Sequence, residues 1–331
     1  MSAVANRLVV YYQTHYKNGA FVSPLPLIGY VTHLLLAAFH LNMGNVGPDI
    51  VHLNDFMPSD AYFAPMWPEI AMMQGNGTKV LGMLGGAAPG TYECLVDELF
   101  DVYYPPLKDV ITDYNLDGMD LDVEQWVSPE TIMRIILTLK ADFGDDFIIT
   151  LAPVASALTE GGNLSGFNYI ELEAEAGHLI DFYNAQFYSG FGTFFPEDQY
   201  VDIIEYEQGI DPSRITATVL TNPQNGYGYV SVGHVAESIG HLMERYGTGW
   251  GGVGGWEYFN SLPDANEPWY WAQTMHQAMK VTKENIERKQ REEKERKEKE
   301  EALEGRSDRE TGTVKPPRVR SRFFKDVAVE A

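Results

Sequence analysis

The chain has 331 residues, of which 44% are hydrophobic and 12% aromatic, enough to build a large core; a wholly disordered chain is excluded. Its formal net charge of -23 excludes a protein whose whole surface is drawn to nucleic acid or anionic membrane. The charge is uneven, with 9 basic and 34 acidic side chains in residues 1–280 against 15 basic and 13 acidic in residues 281–331. A very acidic body is therefore followed by a near-neutral, charge-dense tail. The single cysteine, Cys94, rules out an intrachain disulfide. The first seven residues hold no apolar signal-peptide core, and no apolar run approaches the roughly 20 residues of a membrane span. The expectation is a cytoplasmic protein, favoured as a monomer. An exported domain that has lost its leader is the alternative, kept open by the sequons at Asn76 and Asn163.

Short apolar, β-branched or aromatic runs recur at 8–12 (LVVYY), 33–39 (HLLLAAF), 80–84 (VLGML), 118–124 (GMDLDVE), 147–152 (FIITLA), 180–188 (IDFYNAQFY), 215–220 (ITATVL) and 252–258 (GVGGWEY). Near-continuous apolar strands belong to a parallel sheet covered on both faces. Between them, 129–143 places Ile132, Ile135, Ile136 and Leu139 at helical spacing, and 235–246 repeats the pattern. Eight strands alternating with helices predict an α/β fold of the (β/α)8 TIM-barrel class. A doubly wound open sheet would usually carry a glycine-rich phosphate loop after its first strand, and residues 13–19 (QTHYKNG) carry none. Residues 272–280 close the last barrel helix, giving a catalytic domain over 1–280 and a tail over 281–331. In the tail, 283–304 is almost wholly Glu, Lys, Arg and Gln, with pairs such as Glu284–Arg288 and Glu293–Lys297 four apart, the pattern of a solvated helix. The basic stretch 313–325 is expected to be disordered.

The strongest chemical signal is Asp117-Gly118-Met119-Asp120-Leu121-Asp122-Val123-Glu124. Side chains in a strand alternate faces, so Asp120, Asp122 and Glu124 project inward while Met119, Leu121 and Val123 pack under the helices. Three carboxyl groups in a row inside a barrel cannot all ionise comfortably, because desolvation and like charge both raise their pKa values. An acid at the mouth whose neighbours hold its proton can protonate a leaving group. No Gly-x-Ser-x-Gly elbow, His-Glu-x-x-His, cysteine pair or P-loop competes with this reading, and the eight histidines lack ligand spacing. No metal or cofactor is expected.

The pattern Asp117-Gly-x-Asp120-x-Asp122-x-Glu124 resembles the signature of family 18 glycoside hydrolases, the chitinases and endo-β-N-acetylglucosaminidases. The resemblance extends over nearly all of residues 7–271. Residues 80–87 (VLGMLGGA), which include Gly86, resemble the family's third-strand Ser-x-Gly-Gly with Met83 in place of the serine. Gln186-Phe187-Tyr188 is similar to a sixth-strand Gln-x-Tyr, and Gly254-Gly255-Trp256 to the eighth-strand tryptophan. The stretches 10–14, 79–88 and 256–263 look most like a compact fungal and bacterial group. The interval between Thr221 and Gly252 leaves no room for the inserted α+β domain of larger members.

The resemblance implies retaining hydrolysis in which the sugar's own 2-acetamido oxygen is the nucleophile. Glu124 would be the acid and then the base. Asp122 would hold the acetamido N–H, Asp120 would tune Asp122 through a shared proton, and Tyr188 would donate to the acetamido oxygen. Trp256 would form the sugar's floor, with Tyr12, Gln186 and Trp126 as subsite walls and Asp117 and Gly86 as further substrate-side positions. Met83 removes a hydroxyl that often supports the acids, and Ser189 stands where many chitinases have Asp. The expected partner is chitin or N-acetylglucosamine oligosaccharides. An endo-β-N-acetylglucosaminidase acting on N-glycan cores and a non-hydrolytic chitin-oligomer-binding barrel are the alternatives.

Overall fold

The computed structural model describes residues 6–310 apart from 160, 207 and 208. Eight strands run in parallel around it: β1 (Arg7–Tyr12), β2 (His33–Leu41), β3 (Lys79–Gly85), β4 (Gly118–Asp122), β5 (Ile148–Leu151), β6 (Phe182–Gln186), β7 (Ile215–Leu220) and β8 (Gly252–Trp256). Because β1 pairs with both β8 and β2, the sheet closes on itself, and the open doubly wound alternative falls. Helices α1 (Met66–Gly75), α2 (Phe100–Asp113), α3 (Pro129–Phe143), α4 (Tyr169–Ala176), α5 (Asp198–Glu205), α6 (Val232–Tyr246) and α7 (Trp269–Glu310) follow β2 to β8 in turn. The crossover after β1 departs from the regular alternation. It is made of a short hairpin, Tyr16–Lys17 against Ala20–Phe21, and a 3-10 turn at Leu25–Leu27. A further strand, Val51–Leu53, runs antiparallel to the end of β2 and raises that wall.

Local chemistry sets the helix limits. Ser128 accepts from the Thr131 N–H, Pro129 occupies the first turn, and Gly144 ends α3 with φ 85°. The face carrying Ile132, Ile135, Ile136 and Leu139 is buried, worth roughly 1.5–3 kcal/mol per side chain. Helix α6 begins at Val232, three residues before its apolar pattern does, because Ser231 caps it through the His234 N–H.

Register partners in neighbouring strands share a face, so the interior can be followed around the barrel. Tyr11, Leu35, Leu81, Gly118 and Ile148 form one continuous row. Met83, Asp120 and Thr150 form another. Asn184 faces Thr216 and Gln186 faces Thr218. The expected runs at 118–124, 180–188 and 252–258 are longer than the strands they contain. Their last residues, including Glu124 and Tyr188, lie beyond the ladders at the C-terminal mouth, where barrel enzymes place their chemistry.

The chain divides into two units, residues 1–283 and the residues from 284 onward. In the second, helix α7 is supported by exposed ion pairs. Glu293 meets Lys297 at 3.3 Å as the spacing predicts, and Arg296 is held by Glu293 at 2.8 Å and Glu300 at 3.2 Å. The basic stretch 313–325 lies outside the described residues. Among the described residues no helix is long and apolar enough to cross a membrane.

Candidate active site

Strand β4 fits tightly between its neighbours. A Cβ on Gly118 would lie 2.1 Å from the Ile148 carbonyl oxygen, which explains the glycine in the acidic motif. Asp117, at the foot of the strand, has a different task from the one expected of it. It pairs with Lys79 at 2.9 Å and accepts from the Val80 N–H and the Gln74 amide, both at 2.9 Å. These bonds tie β3, β4 and α1 together at the end of the barrel opposite the mouth, so Asp117 is no substrate residue.

Asp120 is fully buried, and three donors converge on it. The Tyr11 hydroxyl donates at 2.9 Å, the Thr150 hydroxyl at 2.5 Å and the Asn184 amide at 3.0 Å. Burial raises its pKa, and the three hydrogen bonds oppose that rise. Met83 therefore costs the cluster no essential donor, because Thr150 supplies a hydroxyl from the strand on the other side. Tyr11, Thr150 and Asn184 escaped the sequence reading. Face parity would have found them, since each lies on the inward face of its own strand.

Asp122, 4% exposed, is held well above the carboxylate range by burial first and then by the charges of Glu124 and Asp120. It is hydrogen-bonded to Glu124. Glu124 thus acts on Asp122 more strongly than Asp120 does, whose own oxygens are taken by other donors. The Gln186 amide donates to Asp122 at 3.2 Å, to Glu124 at 3.3 Å and to the Ala152 carbonyl at 2.9 Å. Gln186 consequently positions the two acids and is not a subsite wall. Gly86 sits against them: its N–H donates to the Asp122 carbonyl at 2.9 Å, and its φ of +94° favours glycine. A Cβ there would stand 3.6 Å from the Asp122 carboxylate. The Tyr188 hydroxyl is pushed up by burial and then by the charges of Asp122, Glu124 and Asp120, which places it in the same field.

Trp256 stands edge-on to Tyr11, with ring centroids 5.3 Å apart. Tyr11 therefore joins the tryptophan to Asp120. Its neighbour Tyr12 points the other way. Fully buried, it donates to the Val22 carbonyl at 2.6 Å and packs on His15 and Tyr258, so it lines no sugar site. One step in strand parity separates the expected residue from the functional one. Trp126 is 74% exposed on the rim, two residues beyond Glu124. Glu257, also missed, is a buried carboxyl raised by desolvation that accepts from the Thr14 N–H and hydroxyl, both at 2.9 Å. It fastens the loop after β1 beside Trp256. Among the described residues no three His, Cys, Asp or Glu side chains are grouped to hold a metal ion.

A carboxyl that retains a proton beside a second, more accessible carboxyl at a barrel mouth is equipped for general acid catalysis. No protein-family model matches the chain. Of solved structures, a fungal endo-β-N-acetylglucosaminidase from glycosyl hydrolase family 18 is 46% identical, with a TM-score of 0.77 over 82% of this chain and 97% of that one. Chitinase ChiC from Aspergillus fumigatus is also 46% identical, with a TM-score of 0.74 over 83% and 99% of the two chains. Chitinase Chi52 from Paenibacillus xylanexedens is 32% identical over 126 residues, 33% of this chain and 24% of its own length. The aligned stretch thus spans about a quarter of that relative. On the near-complete coverage of the two fungal structures, the chain belongs to glycoside hydrolase family 18.

Proposed function

We propose that the site hydrolyses β-1,4 linkages between N-acetylglucosamine units of chitin or its oligosaccharides, with retention and from within the chain. The observation that carries this reading is the Asp122–Glu124 pair, hydrogen-bonded at the mouth with one partner held well above the carboxylate range. Glu124 gives its proton to the glycosidic oxygen as that oxygen leaves the anomeric carbon. The substrate's 2-acetamido oxygen attacks the same carbon and forms a cyclic oxazolinium ion. Asp122 accepts the acetamido N–H and balances the developing positive charge, and Tyr188 donates to the acetamido oxygen. Glu124 then takes a proton from the water that opens the ring, which restores the starting state. Asp120, anchored by Tyr11, Thr150 and Asn184, repels charge on Asp122 and so keeps the proton in the pair. Trp256 offers an apolar face to the axial C–H groups of the distorted sugar.

The identity to a fungal endo-β-N-acetylglucosaminidase supports a second substrate for the same chemistry, the bond between the two core sugars of an N-glycan. Incubation with chitotetraose and with a high-mannose glycopeptide, read by mass spectrometry, separates the two. Cleavage of chitotetraose alone supports the first, and of the glycopeptide alone the second. Glu124→Gln should lower kcat by about 10²–10⁴-fold on either. Equal cleavage by the variant overturns the assignment of Glu124. Binding of oligomers without cleavage by the parent protein leaves a non-hydrolytic barrel.

A further inference from the structure

We propose that Ser165, itself held by Tyr169, is a positioning residue for Glu124: its hydroxyl fixes the peptide that carries the acid and so sets how closely the acid's carboxyl approaches Asp122. This rests on the reading of Glu124 as the acid. Strand β4 ends at Asp122, so Glu124 stands two residues past the last rung of its ladder. Backbone beyond a sheet needs other partners. Residues 123–127 find theirs in the loop between β5 and α4. The Ser165 hydroxyl donates to the Val123 carbonyl at 2.7 Å, and the Ser165 carbonyl accepts the Val127 N–H at 2.9 Å. A Cβ on Gly166, whose φ is +80°, would stand 2.5 Å from Trp126 Cδ1, so the indole lies on bare backbone. From the loop after β3, the Gly90 N–H donates to Gln125 Oε1 at 2.9 Å. The Val123 carbonyl and the Glu124 nitrogen belong to one planar peptide, and holding the first fixes the direction of the second.

The sense of the hydrogen bonds follows from a count of protons. Ser165 Oγ lies 2.7 Å from the Val123 carbonyl oxygen and 2.7 Å from the Tyr169 hydroxyl. A carbonyl can only accept, so the single Ser165 proton goes to Val123 and Tyr169 donates to Ser165. Burial first of all holds the Tyr169 hydroxyl above its ordinary pKa, so it remains a donor through the neutral range. Ser165 is 2% exposed and Tyr169 is fully buried, which leaves no room for water to replace either. Tyr169 opens α4, where Asn168 caps the helix by accepting from the Ile170 and Glu171 N–H groups. The chain of contacts thus runs from a capped helix to the peptide of the acid. Asn163 braces the loop: its Oδ1 accepts the Ser165 N–H at 2.8 Å, and its Nδ2 donates to the Phe167 carbonyl at 2.6 Å. Both polar side chains of the sequon Asn163-Leu164-Ser165 are therefore committed to bonds that shape this loop.

The test uses the full chain with Ser165→Ala and Tyr169→Phe, each assayed on chito-oligosaccharides well below its own melting temperature. Ser165→Ala should lower kcat about tenfold and leave KM within about twofold, because the acid is displaced while the sugar's contacts are kept. The alkaline limb of kcat should also move to lower pH by about half a pH unit, since a Glu124 drawn away from Asp122 raises its neighbour less. Loss of folded protein alone lowers the rate equally at every pH and leaves the limb in place. Tyr169→Phe should show the same two changes with a loss of about threefold, and it decides the matter if Ser165→Ala does not fold. A folded variant whose limb has not moved, or in which KM alone changes, overturns the proposal. Lowered activity in Glu124→Gln then keeps the hydrolase reading intact. If the unmodified enzyme cuts no oligomer, the hydrolase reading has failed. The titration of Asp122 and Glu124, followed through their carboxyl carbon-13 resonances, then decides the proposal alone: Ser165→Ala should lower the upper midpoint, and coincident curves overturn it.

Discussion

The two halves of the barrel interior are built on opposite terms. Along β1–β3, Val9, Leu35, Ala37, Leu81 and Met83 fill the space with carbon, and burial itself stabilises them. Along β4–β7, Asp120, Asp122, Thr150, Asn184, Gln186, Thr216 and Thr218 are all buried, and each polar group costs stability unless it is partnered. Asp120 has three donors for two oxygens. Asp122 has to share the single Gln186 amide with Glu124 and keeps a proton instead. Supplying enough donors for one buried carboxylate and too few for the next is what holds the second well above the carboxylate range. Positive charge at the foot of β1 is handled in the settled way. The Arg7 guanidinium donates to the Ser213 carbonyl at 2.7 Å and lies 4.2 Å over Phe182. Burial lowers its pKa only to about 10, so it stays charged.

The largest effect that can break this contrast comes from Asp122→Asn. Loss of its contact with the acetamido group should lower kcat by about 10²–10³-fold. Stability should move the other way. Asp122 ionises at a higher pH in the folded state than in the unfolded one, so the folded protein binds more protons over that interval. Stability is then complete at acid pH and falls as pH rises from the ordinary carboxylate range through the raised value. Asparagine removes that loss, and the variant should melt about 2–4 °C higher than the parent at pH 8, with a smaller gap at pH 5. Parallel melting curves at both pH values would mean that the shortage of donors carries no free energy.

Much of this contrast was legible in the sequence, for physical reasons that also mark where legibility ended. The acid–apolar alternation from Gly118 to Glu124 is a period-2 signal of a two-faced strand, and inside a closed barrel it puts the acids on the inner face. The Asp120 donors come from β1, β5 and β6, so nothing local to the motif points to them. Tyr11 and Tyr12 are adjacent aromatics in a run of apolar residues, where pattern alone leaves the face ambiguous. Register through Leu35 resolves it. Asp117 looked like part of the acidic cluster because it is near in sequence, yet three residues of strand carry it about 10 Å from Asp120 towards the other end of the barrel. The crossover after β1 read as part of a regular alternation because a hairpin of two-residue strands leaves no periodic trace.

On the apolar half, Leu35→Ala should destabilise the barrel by about 2–5 kcal/mol, read from denaturant unfolding, while the pH dependence of the remaining activity stays where it was. Such a residue contributes volume and nothing to the proton balance. A shifted pH profile in this variant would show that the two halves are coupled through packing.

Tyr11→Phe tests the one side chain of the apolar half that reaches across to the acids. It removes a hydroxyl and leaves the ring against Trp256, so stability should change by about 1 kcal/mol. Activity should fall by about tenfold, and the pH profile identifies the cause. The Tyr11 hydrogen bond lowers the pKa of Asp120, so its loss raises it. An Asp120 that is protonated more of the time repels charge on Asp122 less, and Asp122 gives up its proton at a lower pH. The alkaline limb of kcat should therefore move to lower pH in the variant. A tenfold loss with the limb unmoved would assign Tyr11 to the floor beneath the sugar through Trp256. A moved limb with little loss would make it a member of the polar half that happens to stand on an apolar strand.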